Sequence, residues 1–161
     1  MPAIKCTKSL IAANISVKPK TAFLLSISNQ KKSDAVPLIR DLHKLGCELF
    51  ATAGTAELIH GLGIPVTTVK KIETEEDIQD AAREGKQSVV DVIDNGLIGA
   101  VINTLEGNRP QHLRDGFQIR KAATEKQIPC FTSLDTAIAA VRSLKNPGNY
   151  SIKPLIEYRD K

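Results

Sequence analysis

Five short apolar runs, each leading into a segment of helical spacing, limit what this chain can fold into. The first, residues 21–27 (TAFLLSI), is apolar nearly throughout instead of alternating, the pattern of a strand buried on both faces. After a loop, residues 33–45 place Val36, Ile39, Leu42 and Leu45 near the helical period, with Gly46 suited to the position after the helix end. Pro37 falls close to the first turn of that helix, where a missing N–H costs least. Residues 47–51 make a second strand, which runs through Thr52-Ala53-Gly54-Thr55 into a helix ending at 61–63; residues 65–69 make a third. A helix at 88–94, with Val89, Val92 and Ile93 on one face and Asn95-Gly96 as its stop, precedes a fourth strand at 98–102. A helix at about 117–126, a fifth strand at 129–132 and a last helix at 134–144 complete the series. Ser133 is placed to cap that last helix, with Ile138, Val141 and Leu144 on its buried side.

Repeated β-α units with short buried strands predict an α/β protein: a three-layer α/β/α sandwich around a five-stranded parallel, Rossmann-like sheet. Ligands bind such sheets beyond the carboxyl ends of the strands. In chain order those ends deliver Ser28, Asn29, Lys31 and Lys32; Thr52, Gly54 and Thr55; Lys70 and Lys71; Asn103 and Thr104; Thr132 and Ser133. Hydroxyls, amides and lysines converge there, and no carboxylate stands among the first four ends. Taken alone, the Thr52–Thr55 turn needs no ligand, since Thr52 can cap the helix and Gly54 can permit the turn. Beside the other strand ends it reads as an anion cradle. A helix start offers unpaired N–H groups and a positive dipole end, and a glycine lets the anion approach them. A phosphate-bearing ligand held by charge-assisted hydrogen bonds suits that set.

Composition narrows the class. The 161 residues are 42% hydrophobic and 25% charged, which suits one globular domain able to bury a core without disulfides or metals. Aromatics make up only 4%, so Ile, Leu, Val and Ala must fill that core. The net charge of +4 is mild and the basic residues are scattered with few aromatics between them, which argues against a nucleic-acid partner. Cys6, Cys47 and Cys130 are odd in number and far apart, as in a reducing compartment without a disulfide framework. No apolar run has the length of a membrane span and no secretory leader is visible, so the expectation is a cytoplasmic protein with no membrane partner. Residues 3–13 have helical composition ahead of a polar, Pro-containing linker. The acidic stretch at 73–80 lacks the alternating ligands and central glycine of a calcium loop and reads as a solvated helix or loop.

Catalytic chemistry is poorly provided for. His43 and His60 fall within helices, leaving His112, in the loop after the fourth strand, as the histidine nearest the strand ends. No nucleophile motif is present and no His/Cys pair has metal-ligand spacing. Asp135 suits the first turn of its helix, where a carboxylate favours the dipole, as well as it suits catalysis. No catalytic residue and no metal ligand is assigned, and binding without catalysis fits these residues better.

FLLSIS, the Lys31-Lys32 loop, GCELFATAGTAELI, GIPVTTVKK, GAVINT, the IRKAA helix and IPCFTSLDTAIAAV together resemble the methylglyoxal synthase-like domain over residues 21–144. Among its branches they look most like the C-terminal allosteric domain of carbamoyl phosphate synthetase large chains. The resemblance implies that residues 1–20 are the end of a preceding ATP-grasp region with its linker, 21–145 the allosteric domain and 146–161 a C-terminal tail. It further implies a regulatory unit, not itself an enzyme, of a glutamine-hydrolysing ligase that makes carbamoyl phosphate for pyrimidine and arginine biosynthesis. A nucleotide monophosphate effector such as uridine or inosine monophosphate would meet Lys32, Thr52, Gly54, Thr55, Lys71, Asn103 and Thr104. The domain itself would hold no cofactor, whereas the parent synthetase would use ATP with magnesium or manganese. Its partners would be the rest of the large subunit and the glutaminase small subunit. Two departures stand out: Leu105 occupies a position where bacterial relatives often carry a second hydroxyl, and residues 73–83 look like an insertion. The alternative branch is the lyase that converts dihydroxyacetone phosphate to methylglyoxal. Its essential aspartate after the glycine of the Gly85 turn is Lys86 here, and its histidine after the first strand is replaced around Asn29.

Overall fold

The computed structural model describes residues 17, 20–71, 83–85, 87–104 and 116–145. The apolar runs become strands β1 (Phe23–Ser26), β2 (Leu49–Thr52), β3 (Thr67–Val69), β4 (Ala100–Asn103) and β5 (Cys130–Phe131). Between and after them lie α1 (Lys32–Lys44), α2 (Ala53–Gly61), α3 (Val89–Asp94), α4 (Phe117–Glu125) and α5 (Leu134–Leu144). A short 3₁₀ turn, Asn29–Lys31, leads into α1. All strand pairs are parallel and the order across the sheet is β3-β2-β1-β4-β5. The three-layer α/β/α architecture expected from the sequence is therefore present.

The strands lack an alternating pattern because both of their faces are covered. Phe23, Leu25, Leu49, Ala51, Ala100 and Ile102 pack against α1, α2 and α5 on one side. Leu24, Phe50, Val69 and Val101 pack against α3 and α4 on the other. Right-handed crossovers carry the chain from β1 through β2 to β3 with α1 and α2 on one face. It then returns past β1 to β4, which puts α3 and α4 on the opposite face. The reversal of direction falls between β1 and β4, the switch point at whose carboxyl ends parallel sheets place their ligands.

Local sequence signals set several of the element ends. Gly46 closes α1 with a φ of +70°, a left-handed conformation that a Cβ would disfavour. Ser88 caps α3 in a reciprocal pair: its N–H donates to Asp91 Oδ2 at 3.0 Å while its Oγ accepts from the Asp91 N–H at 3.0 Å. Three details differ from expectation. Pro37 stands inside α1, beyond its first turn, so the helix tolerates a missing backbone bond there. Ser133 precedes α5 without a side-chain bond to it. The buried stripe of α5 is Leu134, Ala137, Ala140 and Val141, while Ile138 and Leu144 are only half-buried. The alanines face inward because α5 packs closely on α1, where small side chains fit. The segments at 3–13, 73–80 and 105–115, with Leu105 and His112, and Lys86 lie outside the described residues.

Candidate functional site

Buried polarity gathers at one edge of the sheet. Ser26, Ser28, Thr52, Thr55, Asn103 and Thr104 are all buried, and each sits at or just beyond the carboxyl end of β1, β2 or β4. Among the described residues the remaining buried polar side chain is the α3 cap, Ser88. Ser26 and Asn103 are partners in register on the last rung between β1 and β4.

Beyond that rung, two threonine hydroxyls hold the chain from opposite sides. The Ile27 N–H donates to Thr55 Oγ1 at 3.0 Å, tying β1 to the first turn of α2. The next amide, Ser28 N–H, donates to Thr104 Oγ1 at 2.8 Å, tying it to the end of β4. Successive amides of an extended chain point to opposite sides, so one residue of separation is enough to reach both neighbours. Thr104 also donates its own N–H to the Ser26 carbonyl at 3.0 Å. Thr55 and Thr104, expected from sequence as ligand contacts, thus shape this edge by holding its backbone. The Thr55 hydroxyl in addition donates to the Ile27 carbonyl at a long 3.5 Å.

Thr52 is the N-cap of α2, but its side chain makes no capping bond. The N–H groups of Ala53, Gly54 and Thr55, in the first turn, have no acceptor within the helix. Gly54 is exposed, and the Lys32 ammonium stands 3.2 Å from where a Cβ on Gly54 would lie. Lys32 opens α1, so the helix leaving β1 carries its charge to the helix start that follows β2. A cation and a positive dipole end are brought together over bare backbone, an arrangement that accepts an anion.

The other predicted residues divide. Lys70 continues β3 through a parallel bridge to Ser88, and its ammonium pairs with Glu84 Oε2 at 2.9 Å. A carboxylate therefore does reach the third strand end, brought by a turn distant in sequence, and Lys70 is engaged by it. Lys71 follows at the same edge, half-buried. Asn103 Nδ2 donates to the Gly116 carbonyl at 3.1 Å, joining β4 to the start of α4. Thr132 and Ser133 are exposed at the end of β5.

Two features escaped the sequence reading. Gly116 is the first: a Cβ there would have to displace the Arg120 guanidinium and would lie 2.6 Å from Asn103 Nδ2. Its only signal is a glycine at a helix N-cap, where Ser, Thr or Asp is more usual. Ser28 is the second. Its Oγ is buried with no hydrogen-bond partner among the described residues, and it does not cap the 3₁₀ turn that follows. An unsatisfied buried hydroxyl costs about 1–3 kcal/mol, so its presence calls for a reason.

No group of acidic, histidine or cysteine side chains among the described residues is arranged to hold a metal. Asp135 lies exposed in the first turn of α5, in the helix-dipole position. Burial pushes the thiols of Cys47 and Cys130 above their usual value; for Cys130 the Arg120 cation offsets part of the rise. Protonated thiols are poor nucleophiles. No helix among the described residues is long and apolar enough to cross a membrane.

Comparison with known proteins agrees with this architecture. The sequence profile of the MGS-like domain family matches residues 34–132. A carbamoyl phosphate synthase large chain from Thermomicrobium roseum is 40% identical over 154 residues, covering 94% of this chain and 13% of its own length. The chain thus spans about an eighth of that relative. Among solved structures, methylglyoxal synthase from Elizabethkingia anophelis superposes with a TM-score of 0.50 at 16% identity, covering 90% of this chain and 93% of the other. That likeness speaks to the fold.

Proposed function

The chain belongs to the MGS-like domain family, and from that premise we propose that it is the effector-binding regulatory domain of a carbamoyl phosphate synthase large chain. Its ligand is a phosphorylated effector such as uridine or inosine monophosphate, bound across the carboxyl ends of β1, β2 and β4. One observation carries the phosphate: the Lys32 ammonium held over Gly54 at the unpaired N–H groups of α2. Around it, Thr52, Thr55, Lys71, Asn103 and Thr104 supply hydroxyl, amide and cationic groups from neighbouring strand ends. The domain performs no reaction. It acts by binding the effector with different affinity in two states of the synthase, which biases carbamoyl phosphate production for pyrimidine and arginine synthesis. ATP, its metal ions and the glutaminase subunit belong to the remainder of that assembly.

The test is a thermal titration of the purified chain with each monophosphate. A ligand at about 100 times its dissociation constant stabilises by about 2.7 kcal/mol, which raises the midpoint by roughly 5–10 °C. Flat melting curves with every nucleotide would remove the reading. Sustained methylglyoxal release from dihydroxyacetone phosphate would replace it with a lyase.

A further inference from the structure

We propose that α1 carries the state of the anion position to the opposite edge of the sheet, where Lys20 leads the chain into β1; this rests on the phosphate-binding reading above and gives that site a route of regulation.

Both ends of α1 are engaged. Its first residue, Lys32, holds its ammonium over Gly54. Its last turn carries Gly46 and Cys47 with it, because their N–H groups donate to the His43 and Leu42 carbonyls at 2.9 and 3.1 Å. Thirteen residues make a rod of about 20 Å. Ala35, Leu38, Ile39 and Leu42 seat it in the core, and Asp41 pairs with the Lys145 ammonium at the end of α5 at 2.7 Å.

At the amino edge the rod meets the entering chain. Lys20 Cγ lies 3.8 Å from where a Cβ on Gly46 would stand. Burial raises the pKa of the Cys47 thiol, and the Lys20 backbone is near enough to offset part of that rise. Val17 packs, half-buried, against the same side of the core as α1. On the other flank, Thr21 Cγ2 fills the space that a Cβ on Gly99 would need. Lys20 keeps its place with a φ of +62°, a left-handed conformation unfavourable for any residue with a Cβ. Such a residue persists only while its surroundings over-determine it. Lys20 therefore has two states, one left-handed and seated on Gly46, the other released to an ordinary φ. An anion that pins the start of α1 to α2 holds Gly46 in place and favours the seated state. By linkage, whatever unseats Lys20 weakens the anion.

The test is iodoacetamide labelling of the 161-residue chain, with and without saturating inorganic phosphate at matched ionic strength. Peptide mass spectrometry reads Cys47, buried at the wall of a cleft beside Lys20, against Cys130 in β5 on the other face of the sheet. Phosphate slows labelling of Cys47 about fivefold or more relative to Cys130. Lys20→Ala removes the contact with Gly46 from an exposed position. It speeds Cys47 labelling and weakens phosphate about two- to tenfold by calorimetry. Gly99→Ala, which displaces Thr21, does the same, and Lys20→Ala decides the matter if that variant does not fold. Phosphate binding with an unchanged ratio of the two labelling rates overturns the link and leaves the anion site standing. Unaltered phosphate affinity in Lys20→Ala does so too. If the native chain binds no phosphate, both fall.

Discussion

At the amino edge of the sheet, β1, β2 and β4 begin on Phe23, Leu49 and Ala100, all buried and apolar. At the carboxyl edge the same three strands end on Ser26, Thr52 and Asn103, all buried and polar. The two edges share backbone pairing and helix cover, so the difference lies in what each needs. An apolar edge is complete once it is packed. A buried polar edge must find partners, and here the protein supplies most of them through Thr55, Thr104 and Gly116 while leaving Ser28 short. A cleft of about 430 Å³ opens at the amino edge, lined by residues that include His43, Cys47, Glu48 and Thr67. It has room but no concentration of buried polar groups. Among the described residues, buried polarity gathers at the carboxyl edge and not at the amino edge.

Substitutions at the two edges should separate stability from binding. Phe23→Ala has the largest expected effect, about 3–5 kcal/mol of stability, because the ring is fully buried at the amino edge. The midpoint in urea should fall accordingly, with phosphate affinity retained in the population that remains folded. Lys32→Ala should do the reverse. Its half-exposed side chain contributes little to the core, but loss of a charge-assisted contact should weaken a nucleotide monophosphate roughly tenfold to a hundredfold. Unaltered binding by calorimetry would detach Lys32 from the site.

Thr55→Val should affect both properties. It leaves the Ile27 N–H without its acceptor, which costs about 1–3 kcal/mol, and it frees β1 from the start of α2. A variant as stable as the native chain would show that this clamp is dispensable. Gly54→Ala is milder: a Cβ 3.2 Å from the ammonium must push Lys32 aside, so affinity drops a few-fold while the melting midpoint barely moves.

The smallest effect concerns the thiols. Burial raises the folded-state pKa of Cys47 and of Cys130 above the usual 9.0. The unfolded chain therefore loses these protons first as pH rises. Stability from this source is complete below pH 9.0 and declines from there up to the folded-state value. Cys47→Ala should flatten that alkaline decline in urea midpoints measured from neutral to alkaline pH; an identical slope would refute the assignment.

How much of this was legible in the sequence depends on distance along the chain. The apolar runs gave the strands because burial on both faces leaves a local, contiguous mark, as in FLLS of β1. The strand ends were legible for the same reason, since topology alone places them. The work done by Thr55 and Thr104 was not, because their partners lie 28 and 76 residues away. Nor was the engagement of Lys70 by Glu84, which a turn brings back to the sheet. Gly116 stayed silent because its reason is the approach of Asn103 and Arg120 in space. The inward face of α5 is hidden from sequence because hydrophobicity favours Ile138 and Leu144, whereas close packing places Ala137 and Ala140 inside.

The most direct test of the carboxyl-edge site is an amide chemical-shift titration of the isotopically labelled chain with uridine or inosine monophosphate. The account predicts saturable shifts at Gly54, Thr55, Ser28 and Thr104, with the Gly54 response lost in Lys32→Ala. Shifts confined to His43 through Leu49 at the amino edge, or none at any ligand concentration, would contradict it.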